Sequence, residues 1–372
     1  MFNELDFYMP VRIYSGEGCL LKNASFFEEM GKKCLIITGK ESARKSGALN
    51  DTERALQAYG IEYRIFDKIG QNPLLSVCKE AGEEALSHNV DFIIGIGGGS
   101  PLDATKVAAV FATNRIEAAK IFDLNFTNKA LPFVLVGTTA GTGSEVSRVS
   151  IVTVDSDERK KSITHDQLYA AAAFCDPRYT YSLSKDFTVS TGLDAFSHAV
   201  EGYFSPKATD ISDMFALRSV AMLFAELRNI LFKGFDTVRD EQRKNLLYGS
   251  IMAGFTLNTC GTSFPHPLGY ILTETRDLPH GRACAVFLPA YLERAEIYEK
   301  EKMPAFLDSC GEKYLTGVID VIRRLNKYKV FMREEELHSY EKRIENLKHY
   351  DNTPGKFSGE LSMALMKRLF SS

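Results

Sequence analysis

Two short apolar runs in the first half of the chain each break directly into a glycine-rich polar turn. Asp91-Phe92-Ile93-Ile94-Gly95-Ile96 runs into Gly97-Gly98-Gly99-Ser100-Pro101, and Pro132-Phe133-Val134-Leu135-Val136-Gly137 into Thr138-Thr139-Ala140-Gly141-Thr142-Gly143-Ser144. Runs of this length that are apolar throughout read as strands covered on both faces, as in parallel sheets flanked by helices. Leu102 to Ala112 between them looks helical, and Lys33–Thr38 and Glu62–Phe66 add two earlier strands, with Leu74, Val77, Cys78, Ala81 and Ala85 at helical spacing before residue 91. Strand, helix, strand in this order implies right-handed βαβ units and a mainly parallel sheet. Residues 148–153 and 162–164 flank a charged turn and predict a β-hairpin. After about residue 185 the β pattern gives way to 3- and 4-residue spacing, as in Met214, Leu217, Ala221, Phe224, Leu227 and Leu231. The expected fold is an α/β domain over residues 1–181 followed by an all-α domain over 182–372, with the boundary near Asp176-Pro177-Arg178.

Composition narrows the function. The 372 residues carry 45 Lys+Arg against 48 Asp+Glu, a formal charge of −3, with no block of basic charge to track nucleic acid. No run of about 18 apolar residues occurs, and the charges at Glu4, Asp6, Arg12 and Glu17 do not fit a signal peptide, so no membrane association and a cytoplasmic location are expected. Seven scattered cysteines, none in CxxC spacing, argue against a disulfide framework or a thiolate zinc site. Most of them are expected to be buried small hydrophobes.

Three successive glycines remove every Cβ where helix N-terminal amides could approach a pyrophosphate, with Asp103 placed to cap or orient that helix. The spacing is not GxGxxG, and the same turn serves equally as a tight strand-to-helix connection. The second loop, Thr138–Ser144, strengthens the nucleotide reading, because ligands of open α/β sheets bind outside the carboxyl ends of the strands. In the helical half, Asp194 and His198 stand four apart, on one helical face, while His266 lies in Phe264-Pro265-His266-Pro267 and His280 in Pro279-His280-Gly281. One oxygen and three nitrogens suit a catalytic Zn²⁺ or Fe²⁺ with positions open for substrate. Taken singly, the Asp/His pair also reads as a hydrogen-bonded pair, and His266 and His280 as core or loop histidines. Histidines 88, 165, 338 and 349 read as surface residues.

Together, Gly97-Gly98-Gly99-Ser100-Pro101-Leu102-Asp103, Thr138–Glu145, Gly192-Leu193-Asp194-Ala195 with His198, and His266 fourteen residues before His280-Gly281 resemble the iron-containing (group III) alcohol dehydrogenases along nearly the whole chain. The resemblance implies a dehydroquinate synthase-like fold: a dinucleotide-binding α/β domain, an all-helical domain, and an active site in the cleft between them. It implies Asp194, His198, His266 and His280 as ligands of Fe²⁺ or Zn²⁺, Gly97, Gly98, Gly99, Ser100, Thr138, Thr139 and Thr142 around the pyrophosphate, and Asn72 and Lys161 as further cofactor contacts. The expected activity is that of a metal-dependent alcohol dehydrogenase or aldehyde reductase, passing a hydride between a small alcohol or aldehyde and a nicotinamide cofactor, with His280 and Tyr270 at the reacting centre and a homodimer as the assembly. Two positions depart from the common pattern. Tyr270 stands where many members have a second histidine, and a phenol of reference pKa near 10 is expected to shape the pocket rather than act as base. Gly39 stands where NAD-using relatives often have aspartate, and with Lys40 and Ser42 following it NADP(H) is expected to be preferred over NAD(H). The rival readings are a lyase of the dehydroquinate synthase type, which returns the hydride within one turnover, and a non-catalytic nucleotide-binding protein.

Overall fold

The computed structural model describes residues 7–371. Residues fall into two compact units, Phe7–Ser184 with Arg239–Gly254, and Lys185–Val238 with the chain from Phe255 on.

The first unit is built on a six-stranded sheet of β1 (Arg12–Ser15), β2 (Lys33–Thr38), β3 (Glu62–Phe66), β4 (Phe92–Gly97), β5 (Phe133–Gly137) and, after the hairpin β6 (Val149–Thr153) and β7 (Lys160–Thr164), β8 (Ala172–Cys175). The order is β1-β8-β5-β4-β2-β3 and every pairing is parallel, while β6 and β7 pair antiparallel. Strands β4 and β5 are buried at every residue, as their unbroken apolar runs require. Helices α1 (Ala48–Ala58), α2 (Leu75–Ser87) and α3 (Gly99–Phe111) make the crossovers. Gly95, in the middle of β4, lets α3 settle onto the strand: a Cβ there would lie 2.4 Å from Thr105 Oγ1.

β2 and β4 are neighbours, and the chain leaves β2 outward to β3 but leaves β4 in the opposite direction to β5, so the strand order reverses between β2 and β4. Register carries three chemistry-bearing turns to one edge there: Thr38 pairs with Ile96 and Gly97 with Gly137, which sets Gly39, Gly97 and Thr138 beside one another at the carboxyl ends. That is the topological switch point of an open α/β sheet.

The second unit is helical in its named elements: α4 (Lys185–Tyr203), α5 (Asp210–Lys233), the end of α6 (Asp240–Cys260), α7 (Pro265–Arg276), α8 (His280–Tyr298), α9 (Leu315–Leu325) and α10 (Gly359–Phe370), with shorter helical turns between them. Helix α5 opens with a capping box in which Thr209 and Ser212 exchange side-chain and backbone hydrogen bonds. Helix α4 is buried from Leu193 to Tyr203 without interruption, so it is a central helix rather than an amphipathic surface one.

Two strands escape the sequence pattern. β8 is Ala-Ala-Phe-Cys, poor in β-branched residues, and β1 is a four-residue edge strand. The unit boundary falls at Ser184 rather than 181, and the start of α6 groups with the sheet unit. A glycine pair explains the second difference: a Cβ on Gly254 would lie 2.9 Å from the carbonyl oxygen of Gly143, so only glycine lets this helix press onto the second loop.

Candidate active site

The two loops of the first unit interlock through their glycines. A Cβ on Gly98 would lie 2.9 Å from Thr139 Cγ2, and one on Gly99 2.6 Å from Thr142 Cγ2. Thr138 donates its amide to the carbonyl of Gly97 at 2.9 Å, and Asn72, at φ 57°, donates its amide to Ser100 Oγ at 3.2 Å. Helix α3 begins at Gly99 with Gly98 as its cap and no capping side chain, so the leading amides of this buried helix face a cradle of small residues and hydroxyls. Gly97–Ser100, Thr138, Thr139, Thr142 and Asn72 thus come together. Gly39, Lys40 and Ser42 follow β2 at the neighbouring strand end, with Lys40 and Ser42 exposed and Glu41 paired to Lys45. Lys161 lies on β7, its ammonium 5.4 Å from the centre of the Phe122 ring.

Asp103 does not cap α3. Its Oδ1 accepts from Ser144 Oγ at 2.6 Å and its Oδ2 from the Ile151 amide at 2.9 Å. One turn on, the fully buried Lys106 donates to Ser144 Oγ, Ser147 Oγ and the Val149 carbonyl, and lies 3.7 Å from Asp103. Burial pushes the Lys106 pKa down to about 8 against the pull of Asp103 and Glu145. The pair wires the second loop to α3 from beneath.

The second unit assembles a different cluster. Asp194, His198 and Glu201 lie at i, i+4 and i+7 on one face of α4, His266 is the second residue of α7, and His280 opens α8. A Cβ on Gly281 would sit 1.9 Å from the Ser190 carbonyl oxygen and 2.8 Å from Asp194 Cβ, so only glycine brings the start of α8 onto α4. Gly269 performs the same service between α7 and α8, where its Cβ would meet Cys284 Sγ at 3.0 Å.

His266 Nε2 and His280 Nε2 each stand 3.7 Å from Asp194 Oδ1, too long for hydrogen bonds but suited to two donors of one ion, which at 2.0–2.2 Å from a tetrahedral centre lie about 3.4 Å apart. Asp194, His266, His280 and Cys284 each offer a donor atom within 4.8 Å of all the others. His198 stands beside this set, its ring stacked on that of His266 with centroids 4.5 Å apart. Tyr270 lies flat against His280, centroids 5.1 Å apart. Asp194 and His266 are buried, whereas the His280 side chain is 26% exposed and marks the open side.

His266 Nδ1 meets Glu201 Oε1 at 2.7 Å, and Glu201 Oε2 accepts from the Ser263 amide at 2.7 Å. Burial lowers the His266 pKa to about 4 and raises that of Glu201 well above the carboxylate range. The imidazole is therefore held uncharged, and its buried Nε2 makes no hydrogen bond in the protein. A neutral imidazole nitrogen with no protein partner, aimed at a carboxylate oxygen and a second imidazole, is what a divalent cation requires.

Residues 10–177 match the iron-containing alcohol dehydrogenase family, and residues 188–342 its C-terminal counterpart, the Fe-containing alcohol dehydrogenase family, C-terminal. The chain belongs to the iron-containing alcohol dehydrogenase family. Among relatives of this family, sulfoacetaldehyde reductase of Bilophila wadsworthia is 30% identical over 85% of this chain and 81% of its own length. 1,3-Propanediol dehydrogenase of Klebsiella pneumoniae is 32% identical over 77% and 74%. The structure of an iron-containing alcohol dehydrogenase from Thermotoga maritima superposes with a TM-score of 0.90 at 34% identity, covering 98% of this chain and 99% of that one. The expected fold and activity stand: this is a metal-dependent alcohol dehydrogenase of the iron-containing alcohol dehydrogenase family.

Sequence reasoning passed over two residues here. Glu201 lies three residues after His198, and the continued i, i+4, i+7 face was the available signal; Cys284, one turn after His280, was taken with the other cysteines as a small hydrophobe. His349 is also not a plain surface residue: its Nδ1 is buried, and burial pushes its pKa down to about 4. No helix of the described residues is long and apolar enough to cross a membrane.

Proposed function

We propose that Asp194, His266 and His280, with His198 beside them, hold a divalent ion at which a small alcohol or aldehyde reacts, and that the two glycine-rich loops hold NADP(H). The convergence of the buried His266 Nε2 with Asp194 Oδ1 and His280 Nε2 carries this reading. When bound, the ion polarises the substrate oxygen as a Lewis acid and the nicotinamide exchanges the hydride. The protein's own work is positional. Asp194 supplies the negative charge that keeps a cation in a buried place, Glu201 fixes His266 by its Nδ1, and Gly281 fixes His280 on the open side where substrate enters. Tyr270, stacked on His280, would wall the pocket, and a phenol of reference pKa near 10 is a poor base at neutral pH, which supports a role in shape rather than in proton transfer.

The 2′-phosphate preference rests on the end of β2. Gly39 has no carboxylate to repel a phosphate, Lys40 and Ser42 are exposed beside it, and the charge of Glu41 is met by Lys45. One charge-assisted contact contributes about 1.5–3 kcal/mol, so kcat/KM with NADPH is expected to exceed that with NADH by roughly 10- to 150-fold. Equal values would refute the preference. Lys40→Ala is a better probe than Gly39→Asp, because a Cβ at position 39 would lie 3.1 Å from the Ile69 carbonyl oxygen. A homodimer in the cytoplasm belongs to the same reading, and size-exclusion chromatography tests the assembly. The decisive assay is stoichiometric oxidation of NADPH by an aldehyde panel after metal reconstitution. A dehydroquinate synthase-type lyase or a nucleotide binder would give no net cofactor turnover.

A further inference from the structure

We propose that a cavity of about 310 Å³ in the helical unit binds an aliphatic α-amino acid as its zwitterion. Its lining comes from α8, the end of α9 and the last turn of α10, and shares no residue with the cluster around Asp194. The size is at the small end for ligand pockets, which span about 300–1,000 Å³. Two acceptors on its lining lack their donors. Pro289 interrupts α8 without an N–H, so the carbonyl of Ala285, four residues back, is deprived of its regular helical hydrogen bond. Asn326, the C-cap of α9, spends its Nδ2 on the Arg282 carbonyl at 2.9 Å, while its Oδ1 is buried and meets no donor in the protein. Two cations share the same cavity, Arg323 from α9 and Arg368 from α10. The helix dipole accounts for a basic residue in either last turn, but not for both on one cavity, and Arg323 belongs to a run, 321–333, with five cations and no acid.

These surfaces fix the ligand. Acceptors without donors are costly when buried, and two of them on one cavity call for a group rich in N–H bonds, as an ammonium is. Guanidiniums call for a carboxylate or a phosphate. Glu293 already meets Arg323 at 3.5 Å, so the lining offers one net positive charge, which suits a carboxylate better than a phosphate dianion. Val286, Pro289, Ala290 and Leu369 supply the aliphatic wall that a short hydrocarbon chain would cover. Tyr328 completes the lining, with the Arg282 guanidinium 5.4 Å from its ring centre and anchored on the Leu325 carbonyl at 2.7 Å.

The test is calorimetric titration of the full-length holoenzyme with L-norleucine, and separately with hexanoate and pentylamine, which carry the same chain without the ammonium or without the carboxylate. Norleucine is expected to bind, and each of the other two to bind at least about tenfold more weakly, since each lacks one charge-assisted contact. Arg368→Glu should weaken norleucine roughly 10- to 150-fold. Pro289→Ala should weaken it about tenfold, because the restored N–H occupies the Ala285 carbonyl. Arg368 is exposed and α10 gives nothing to the metal cluster, so kcat and KM of Arg368→Glu should match wild type and show that the fold is intact. No binding of norleucine at millimolar concentration would overturn the proposal and leave the cavity to water. Hexanoate or pentylamine binding as tightly as norleucine would overturn the zwitterion, and norleucine affinity unchanged in either variant would place its site elsewhere.

Discussion

Lys106 and His266 are both buried polar side chains on helices, each touching a carboxylate, and they end in opposite states. Lys106 directs its ammonium at Ser144, Ser147 and the Val149 carbonyl, with Asp103 close by, and Asp103 spends both oxygens on Ser144 and Ile151. His266 satisfies one nitrogen on Glu201 and turns the other toward Asp194 and His280, where no hydrogen bond is made. The first network closes on itself; the second converges on a point. Buried polar groups without partners are costly, so a fold that keeps one beside other donors is keeping a place for something else. Closure marks scaffold, and convergence marks a site.

Replacement of His280 by alanine is the strongest way to break that contrast. It should remove most bound metal and lower turnover by about a thousandfold or more, since Lewis-acid stabilisation is worth several kcal/mol, while the urea midpoint of the metal-free protein stays close to wild type. Elemental analysis beside a urea titration reads both, and stoichiometric metal at normal rate would remove His280 from the ligand set. Lys106→Met should do the reverse: stability falls by about 3 kcal/mol because Asp103 is left buried without its cation, and metal content per folded molecule does not change. A variant as stable as wild type would show that the network is not the scaffold claimed for it.

Glu201→Gln sharpens the comparison, since it keeps the shape and replaces by an amide the carboxyl that meets His266 Nδ1. Chelator competition should show metal affinity lower by about ten- to a hundredfold, with little change in KM for the cofactor. The smallest effect is expected at Tyr270. Tyr270→Phe should hold kcat within about tenfold of wild type, less than the 10²–10⁴ that loss of an acid–base group costs. A thousandfold fall in kcat at constant KM would make the phenol catalytic.

What could be read from the sequence follows the range of the interactions. The strands β2, β4 and β5 and the two loops announce themselves in consecutive residues, because burial on both faces and the absence of Cβ atoms are local demands. β8 does not, since two alanines followed by phenylalanine and cysteine acquire their conformation from their neighbours in the sheet. Asp194 and His198 are legible as a helical pair, but the 3.7 Å approach of His280 to Asp194 depends on Gly281 meeting Ser190, residues 91 positions apart that no periodicity connects.

Gly281 has one more consequence. The candidate donors at 194, 266 and 280 come from three helices, so a cation held among them would tie α4, α7 and α8 together as a covalent cross-link would, closing the stretch from 194 to 280 that is open in the unfolded chain. The tie can form only after α8 has docked, and docking tolerates nothing larger than hydrogen at position 281. In a refolding experiment with Co²⁺ present, the cobalt spectrum would therefore report the docking of α8, appearing after helical circular dichroism has recovered.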